Sequence, residues 1–277
     1  MASADDNRLG GFLRARRAQL SPADVGLEST PRRRVSGLRR EEVAMLARIS
    51  SEYYLRLEQG RVQHPSDSVI VGLARALRLD DDATAYLFQL ARPAAARHPP
   101  AREAAPEGIR QLLDAWTTTP AYVQGRVLDV LASNRMARAL SPIFTPGVNL
   151  VRSAFLDPAV KALYRDWDRT VAATLASLRY GLGGGDERDD PAVGELVSTL
   201  TAESPRFAEL WSQHDVKPKG HGRSVLEHPL VGRLDLRYEK LAVASPGVGQ
   251  SVVIYHAEPG SVTERRLAEL AAASVDG

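Results

Sequence analysis

One proline- and alanine-rich segment limits how this chain can fold. From Arg92 to Pro106 the sequence RPAAARHPPAREAAP contains no large apolar side chain, so it is unsuited to a packed core. We therefore predict two domains and a linker, with boundaries at 1–92, 93–106 and 107–277. A length of 277 residues is sufficient for two ordinary domains, each with its own core.

The composition excludes several classes of protein. The chain has no cysteine, which excludes disulfides, thiolate nucleophiles and cysteine-ligated zinc. No stretch approaches the roughly 20 apolar residues that cross a bilayer, and the first residues lack the basic and apolar parts of a secretion signal. We therefore expect a cytoplasmic protein that is not inserted in a membrane.

The first ninety residues show five short blocks of apolar side chains at helical spacing. This pattern predicts an all-α domain of five helices. The blocks run from Leu9 to Leu20, Val43 to Ala47, Tyr54 to Leu57, Val69 to Leu77 and Tyr86 to Leu90.

The segment LRREEVAMLARISSEYYLRLEQG, from Leu38 to Gly60, predicts two helices joined by a tight turn. The first helix runs from Arg40 to Ala47, and Ile49 fills the turn. Ser50 is a good N-cap for the second helix, which runs from Ser51 to Gln59.

The second of these helices has an inner and an outer face. Its apolar face carries Tyr54 and Leu57, which we expect to be buried. The opposite face carries small polar, acidic and arginine groups, which suit contacts with the edges of bases in the major groove. These outward residues are Ser51, Glu52, Tyr53 and Arg56.

This segment resembles the phage-repressor and xenobiotic-response-element (XRE) class of helix-turn-helix proteins, which have a lambda-repressor-like fold and insert the second helix into the major groove. Position by position, the resemblance implies base contacts from Ser51, Glu52 and Arg56. It implies phosphate contacts from Arg40 and Arg61. The expected partner is a double-stranded DNA operator.

The same resemblance implies a structural ion pair between Arg17 on the first helix and Glu58 on the recognition helix. The chain departs from the family pattern at two positions. Arg48 replaces a common glycine, and because a left-handed backbone there would cost about 1 kcal/mol, we expect a less strained turn. Arg39 replaces a capping Ser or Thr; it cannot accept a hydrogen bond but can reach a phosphate.

A basic run precedes these helices at Arg32, Arg33 and Arg34. Charge runs are often solvated loops. The position of this one favours DNA contacts at a major-groove edge or in the minor groove, because guanidinium groups suit narrow negative grooves. We predict that neutralising all three weakens binding to specific and random DNA alike, which a salt-dependent titration would measure.

The sequence after the linker has mixed periodicity, with strand patterns towards both ends and helical patterns mainly between them. We predict an α+β domain whose antiparallel sheet is built from both ends of the segment. Strands are predicted at 121–123, 127–132, 234–238 and 252–254, and helices at 109–116, 157–182, 192–200, 207–214 and 263–272.

Residues in both parts of the chain carry a more specific resemblance. In the first part, the stretch from Arg32 to Val43 carries this resemblance. In the second part, the residues that carry it are Thr119-Pro120-Ala121, Asn134, Leu156-Asp157-Pro158, Trp167, Arg179, Ser204-Pro205, Phe207, Trp211, His228-Pro229, Gly232 and Tyr238. Together they resemble an actinobacterial subgroup of XRE-type transcription regulators with a C-terminal MmyB-like ligand-binding domain. The resemblance implies a PAS-like fold and a fatty-acid-like ligand.

Four residues of the second part are candidate ligand contacts. Trp167 and Arg179 are twelve positions apart on one predicted helix, so they share a side only loosely. They are either a core tryptophan and a surface arginine, or a pocket wall and a carboxylate partner. His228 could bind the head group of a ligand, although a structural role for this histidine is favoured. Tyr238 is the fourth candidate ligand contact.

These observations predict a transcription regulator, with repression favoured, whose DNA affinity responds to the ligand. Because one module reads a half-site, we expect a homodimer on a palindromic or repeated operator. The protein would be cytoplasmic, and associated with the nucleoid when bound to DNA. In the alternative hypothesis, the second domain only dimerises or docks proteins.

Catalysis and cofactors are not expected. The second part has no G-x-S-x-G nucleophile elbow and no close histidine–carboxylate set, so we do not expect an enzyme. The histidines at 214, 221 and 228 are seven residues apart, unlike the short pairs that chelate a metal.

Overall fold

The computed structural model describes residues 7–28, 37–62, 64–92, 103–182, 190–217, 220–244 and 249–274. Arg32, Arg33, Arg34 and linker residues 93–102 lie outside these ranges. The described residues fall into two compact units, one drawn from 1–96, 182–190 and 209–217, the other from 97–181, 191–208 and 218–277. The segment 209–217, which the sequence assigns to the second domain, therefore groups with the first unit.

Five α-helices form the N-terminal part of the first unit over the described residues up to Arg92, in agreement with the predicted number. Their apolar faces meet in one core, in which Phe12, Leu13, Tyr54, Leu57 and Leu87 are at most 1% exposed. The helices are α1 (Arg8–Gln19), α2 (Arg40–Ala47), α3 (Ser51–Glu58), α4 (Asp67–Ala76) and α5 (Asp81–Ala91).

Polar side chains cap the N-terminal ends of three of these helices: Asn7 for α1, Ser50 for α3 and Asp80 for α5. Asn7 accepts a hydrogen bond from the backbone N–H of Gly10 at 2.7 Å, before α1. Asp80 caps α5 in the same way, with 2.8 Å between its Oδ1 and the backbone nitrogen of Ala83. Each cap satisfies a backbone donor that has no partner within its helix, so the sequence determines where these helices start.

The turn between α2 and α3 corrects one expectation. Arg48 has a left-handed backbone with φ 58°, where a less strained turn was expected. Two hydrogen bonds hold this conformation, from the N–H of Arg48 to the carbonyl of Met45 at 3.1 Å and from Ile49 to Ala44 at 3.0 Å. They satisfy carbonyls that the helix end leaves open, which offsets the roughly 1 kcal/mol cost of a left-handed arginine.

The rest of the described chain contains eight α-helices and five strands. No helix in the described ranges has the length and apolar character needed to cross a membrane. The helices are α6 (Glu107–Ala115), α7 (Arg135–Leu140), α8 (Leu150–Leu156), α9 (Pro158–Leu163), α10 (Trp167–Leu182), α11 (Pro191–Glu203), α12 (Pro205–Ser212) and α13 (Val262–Ala273); the strands are β1 (Ala121–Gln124), β2 (Val130–Ser133), β3 (His221–His228), β4 (Gly232–Ala242) and β5 (Ser251–His256).

The five strands form one antiparallel sheet in the order β2-β1-β5-β4-β3. The prediction of a sheet built from both ends of the segment is therefore confirmed. Strand β3 was not predicted, because its inward residues Ser224, Leu226 and His228 include only one apolar side chain. The short helices α7 and α8 also lack a predicted counterpart.

Two faces of the sheet have different surroundings. Val123 and Val252 belong to an apolar cluster on one face, together with Leu113 of α6 and Ala105. Ala105 is 5% exposed, so the end of the predicted linker packs into this core, which its small side chain permits. The predicted linker was therefore too long at its C-terminal end.

The opposite face is defined by strand register. Val253 of β5 pairs with both Tyr122 of β1 and Lys240 of β4, so these three residues form one row across the sheet. In the next row, Tyr238 pairs with Tyr255 and with Gly222. Because side chains two positions apart on a strand share a face, both rows point the same way.

Candidate functional site

The helix α3 presents a polar outer face in the first unit. Its start is fixed by Ser50, whose side-chain oxygen accepts a hydrogen bond from the backbone N–H of Tyr53 at 3.1 Å. Tyr54 and Leu57 are fully buried, which fixes the rotation of the helix about its axis. The side chains left outside are Ser51, Glu52 and Arg56, which are exposed, and Tyr53, which is half-buried.

Glu52 and Arg56 are the charged residues of this outer face. They are four positions apart, a spacing at which helical side chains can pair, yet no ion pair joins them in the described structure. An arginine can donate two hydrogen bonds to the edge of one guanine, and a glutamate can accept a hydrogen bond from the amino group of cytosine. The face is therefore chemically equipped to distinguish base pairs.

A buried carboxylate ties α3 to two other helices. The side chain of Glu58 is 1% exposed and accepts hydrogen bonds from Nε of Arg17 at 2.7 Å and Nε of Arg40 at 2.6 Å. Burial by itself would lower the pKa of Arg17, but the hydrogen bond and charge of Glu58 outweigh it, and the pKa is raised. The structure thus brings Arg17 and Glu58 together, as the resemblance implies.

Arg40 makes a contact that the sequence did not predict. The sequence assigns it to phosphate contact, whereas in the structure its guanidinium forms the second arm of the Glu58 ion pair. Its side chain is still 49% exposed, so part of it also faces solvent. The periodicity of the sequence contains no signal for this contact, because Arg40 and Glu58 are on different helices.

Two further arginines that the sequence assigns to phosphate contact, Arg39 and Arg61, lie at helix ends. Arg39 immediately precedes α2, and its backbone N–H donates to a carboxylate oxygen of Glu42 at 2.6 Å. Arg61 follows α3, is exposed, and closes the helix end through a 2.9 Å hydrogen bond to the carbonyl of Arg56. The predicted contacts of Arg32, Arg33 and Arg34 lie outside the described residues.

The second unit contains a cavity of about 300 Å³ between the sheet and helices α8, α9 and α10. Much of the wall is apolar, which suits a small organic ligand. The apolar lining residues are Leu128, Ile143, Phe144, Leu150, Ala154, Val160, Val171, Ala173 and Val253.

All charged side chains that line this cavity are cationic: Arg169, Arg223 and Lys240. Arg169 is exposed and forms an ion pair with Asp166 at 2.7 Å, and Arg223 is exposed on the edge strand β3. Lys240 is half-buried, and burial lowers the pKa of its ammonium group. No described residue forms an ion pair or hydrogen bond with that ammonium, so it is a cation without a counter-ion.

Trp167 and Tyr238, two of the predicted ligand contacts, line the cavity. The indole N–H of Trp167 donates to the carbonyl of Ala154 at 2.8 Å, so this donor is already used within the protein. The side chain of Tyr238 packs against Gly222 on the neighbouring strand, where an added Cβ would be 2.3 Å from the tyrosine hydroxyl. Only glycine at this position leaves Tyr238 undisturbed.

Arg179 does not line the cavity, contrary to one of the two interpretations of the sequence. It lies twelve residues beyond Trp167, which is about 18 Å along a helix, whereas α10 contributes to the wall only as far as Ser177. The alternative of a surface arginine is also wrong, because Arg179 is 2% exposed.

His228 is also outside the cavity, and its ring is held in the turn between β3 and β4. Its Nδ1 accepts from the backbone N–H groups of Leu230 at 3.2 Å and Val231 at 3.4 Å. Its Nε2 lies 3.0 Å from the carbonyl of Ala139. Both ring nitrogens thus have backbone partners, which corrects the ligand assignment and supports the structural role.

Three further tyrosines line the cavity beside Tyr238: Tyr122, Tyr164 and Tyr255. Burial raises the pKa of each phenol, for Tyr164 to about 12, so all remain protonated at neutral pH. These residues and Lys240 were not predicted from the sequence. Strand alternation could have found Lys240, since it lies two positions from Tyr238 on the same face.

Comparison with protein families finds two matches. Residues 8–87 match the model of a helix-turn-helix domain. Residues 105–270, well over half of the chain, match the model of the ligand-binding domain of MmyB-like transcription regulators. No individually curated protein matches the chain.

Proposed function

The chain belongs to the MmyB-like transcription regulators and carries a helix-turn-helix domain, and we propose that a small apolar acid in its second domain controls its DNA affinity. Lys240 is the observation that carries this proposal. A half-buried ammonium group in the wall of a largely apolar cavity has lost part of its hydration without gaining a counter-ion, which is unfavourable for the charged form. A ligand carboxylate would supply the missing charge, while its apolar part contacts the walls.

The cavity is large enough for a small organic acid. Its volume of about 300 Å³ lies at the lower end of the range for ligand pockets. Of the fatty-acid-like molecules that the resemblance implies, we propose a medium-chain acid such as octanoic acid.

For DNA, we propose that α3 enters the major groove of an operator half-site. Its outer face would then contact bases, and the basic residues at helix ends and in the preceding run would contact phosphates. Two such modules in a homodimer would read a palindromic or repeated operator, and the protein would act as a repressor in the cytoplasm. The base contacts would come from Ser51, Glu52, Tyr53 and Arg56, and the phosphate contacts from Arg39, Arg40, Arg61, Arg32, Arg33 and Arg34.

The test is a titration of full-length protein on its own upstream intergenic DNA and on random DNA, at two salt concentrations, with and without octanoic acid. We expect selective binding that the acid weakens. The Lys240→Met variant should bind the operator equally well and ignore the acid. Lys217→Met is the matched control, because Lys217 is exposed and does not line the cavity.

Three outcomes separate the alternatives. Loss of the acid response in Lys240→Met alone supports a ligand-controlled regulator. A dimer that binds its operator and ignores acids in all variants favours a dimerisation or docking role for the second domain. Equal affinity for both DNAs would contradict sequence-specific binding.

A further inference from the structure

The hydroxyl groups of Tyr122, Tyr164 and Tyr255 form a phenol cluster in the wall of the cavity. Tyr255 is the shared member, because its ring lies beside that of Tyr122 and its hydroxyl is near enough to those of Tyr122 and Tyr164 to affect the pKa of each. The rings of Tyr122 and Tyr255 have centroids 6.5 Å apart, and both contact Phe144, at 4.6 Å and 5.7 Å between centroids. Aromatic packing thus holds Tyr122 and Tyr255 in place.

The phenol cluster has more hydrogen-bond donors than its internal contacts can use. Each of the three hydroxyls has one O–H donor and can also accept hydrogen bonds. Two contacts within the cluster use at most two of the three donors, whichever way the hydrogens point. No other side-chain hydrogen bond of these hydroxyls occurs among the described residues, so at least one donor remains for a molecule in the cavity.

The phenol cluster extends across the sheet away from Lys240, with Tyr255 on the neighbouring strand and Tyr122 on the strand after it. Lys240 and Tyr122 are two strands apart in one row of the sheet. Neighbouring strands are about 4.8 Å apart, so the two backbones are separated by about 10 Å. A medium-chain acid could therefore place its carboxylate at Lys240 and extend its chain towards the phenols.

We propose that the ligand is an oxygenated acid, with an acceptor oxygen on its apolar chain that takes a hydrogen bond from the phenol cluster. This inference rests on the proposed binding of an acid in the cavity and narrows its chemistry. A plain fatty acid would leave the free donor without a partner. An acid with a ketone at the right carbon would satisfy it, so the phenol cluster selects for both the oxygen and its position.

The experiment compares octanoic acid with its isomers that carry a ketone at carbon 4, 5, 6 or 7, by calorimetric titration of the full-length protein. Since a hydrogen bond contributes modestly in water, we expect at least one ketone isomer to bind about three- to tenfold more tightly than octanoic acid. In a variant that combines Tyr122→Phe, Tyr164→Phe and Tyr255→Phe, the same isomer should bind less tightly than octanoic acid, because its ketone loses its partner.

Tyr180→Phe is the matched control, since Tyr180 lies on α10 but does not line the cavity; it should keep the preference. Binding of octanoic acid with no preference for any isomer would overturn this inference and leave acid binding intact. A preference that persists in the triple variant would also overturn it. Failure of every acid to bind would refute the proposed function as well. The wild-type comparison decides the question even if the triple variant does not fold.

Discussion

Removal of the Glu58 side chain is the sharpest test of how the DNA-binding unit is held together. The Glu58→Ala substitution removes a carboxylate that is 1% exposed and leaves the guanidinium of Arg17, 17% exposed, without its counter-ion. Breaking one side of a buried ion pair costs about 3–5 kcal/mol. Arg40 contributes far less, because water can replace the carboxylate at a half-exposed side chain; we expect about 1 kcal/mol or less for Arg40→Ala.

Hydrogen exchange measured by mass spectrometry on the full-length protein resolves these effects by region. Each 1.4 kcal/mol corresponds to a factor of ten, so protected amides in α1 and α3 should exchange about 100- to 4,000-fold faster in Glu58→Ala. Arg17→Ala should have a similar effect and Arg40→Ala less than about tenfold. Glu52→Ala, on the exposed face of the same helix, serves as the control and should leave exchange unchanged.

Two results would refute this reasoning. If Glu58→Ala accelerated exchange by less than a factor of about five, the carboxylate would contribute no more than a surface ion pair. If Arg40→Ala matched Arg17→Ala, burial would not be what distinguishes the two arginines. Either result would mean that the burial of the Glu58 contacts does not explain the stability of the unit.

Three further predictions concern the two proposed binding functions. Octanoic acid affinity, measured by calorimetry, should fall as pH rises through the pKa of Lys240, because anion binding requires the protonated ammonium and burial lowers that pKa below the ordinary value of a lysine; any acid binding that Lys240→Met retains should lack this dependence. Arg56→Ala should weaken operator binding by about 1–3 kcal/mol with little effect on random DNA, whereas Arg61→Ala should weaken both equally and reduce the salt slope by about one. Gly222→Ala should displace Tyr238 and weaken acid binding in the same titration, without changing DNA affinity in the absence of acid; an unchanged acid affinity would contradict the role given to that contact.

The helix-turn-helix was predictable because its determinants are local. The cap at Ser50 and the inward spacing of Tyr54 and Leu57 lie within eight residues of sequence, and together they set the start and the rotation of α3. The conformation of Arg48 was not predictable in the same way. An arginine intrinsically avoids the left-handed backbone conformation, whereas the hydrogen bonds at the end of α2 favour it. Which effect is larger is decided only in the folded turn.

The cavity shows what the tertiary structure alone decided. Periodicity in the sequence predicted antiparallel strands from both ends of the second part, but not their order or register. The row that joins Tyr122, Val253 and Lys240 brings together residues more than a hundred positions apart. Side-chain alternation states which residues share a face, whereas strand pairing determines their neighbours across the sheet, and this depends on long-range packing. For that reason Arg179 and His228 were plausible ligand contacts in the sequence, and only the fold directed attention to Lys240 and the phenol cluster.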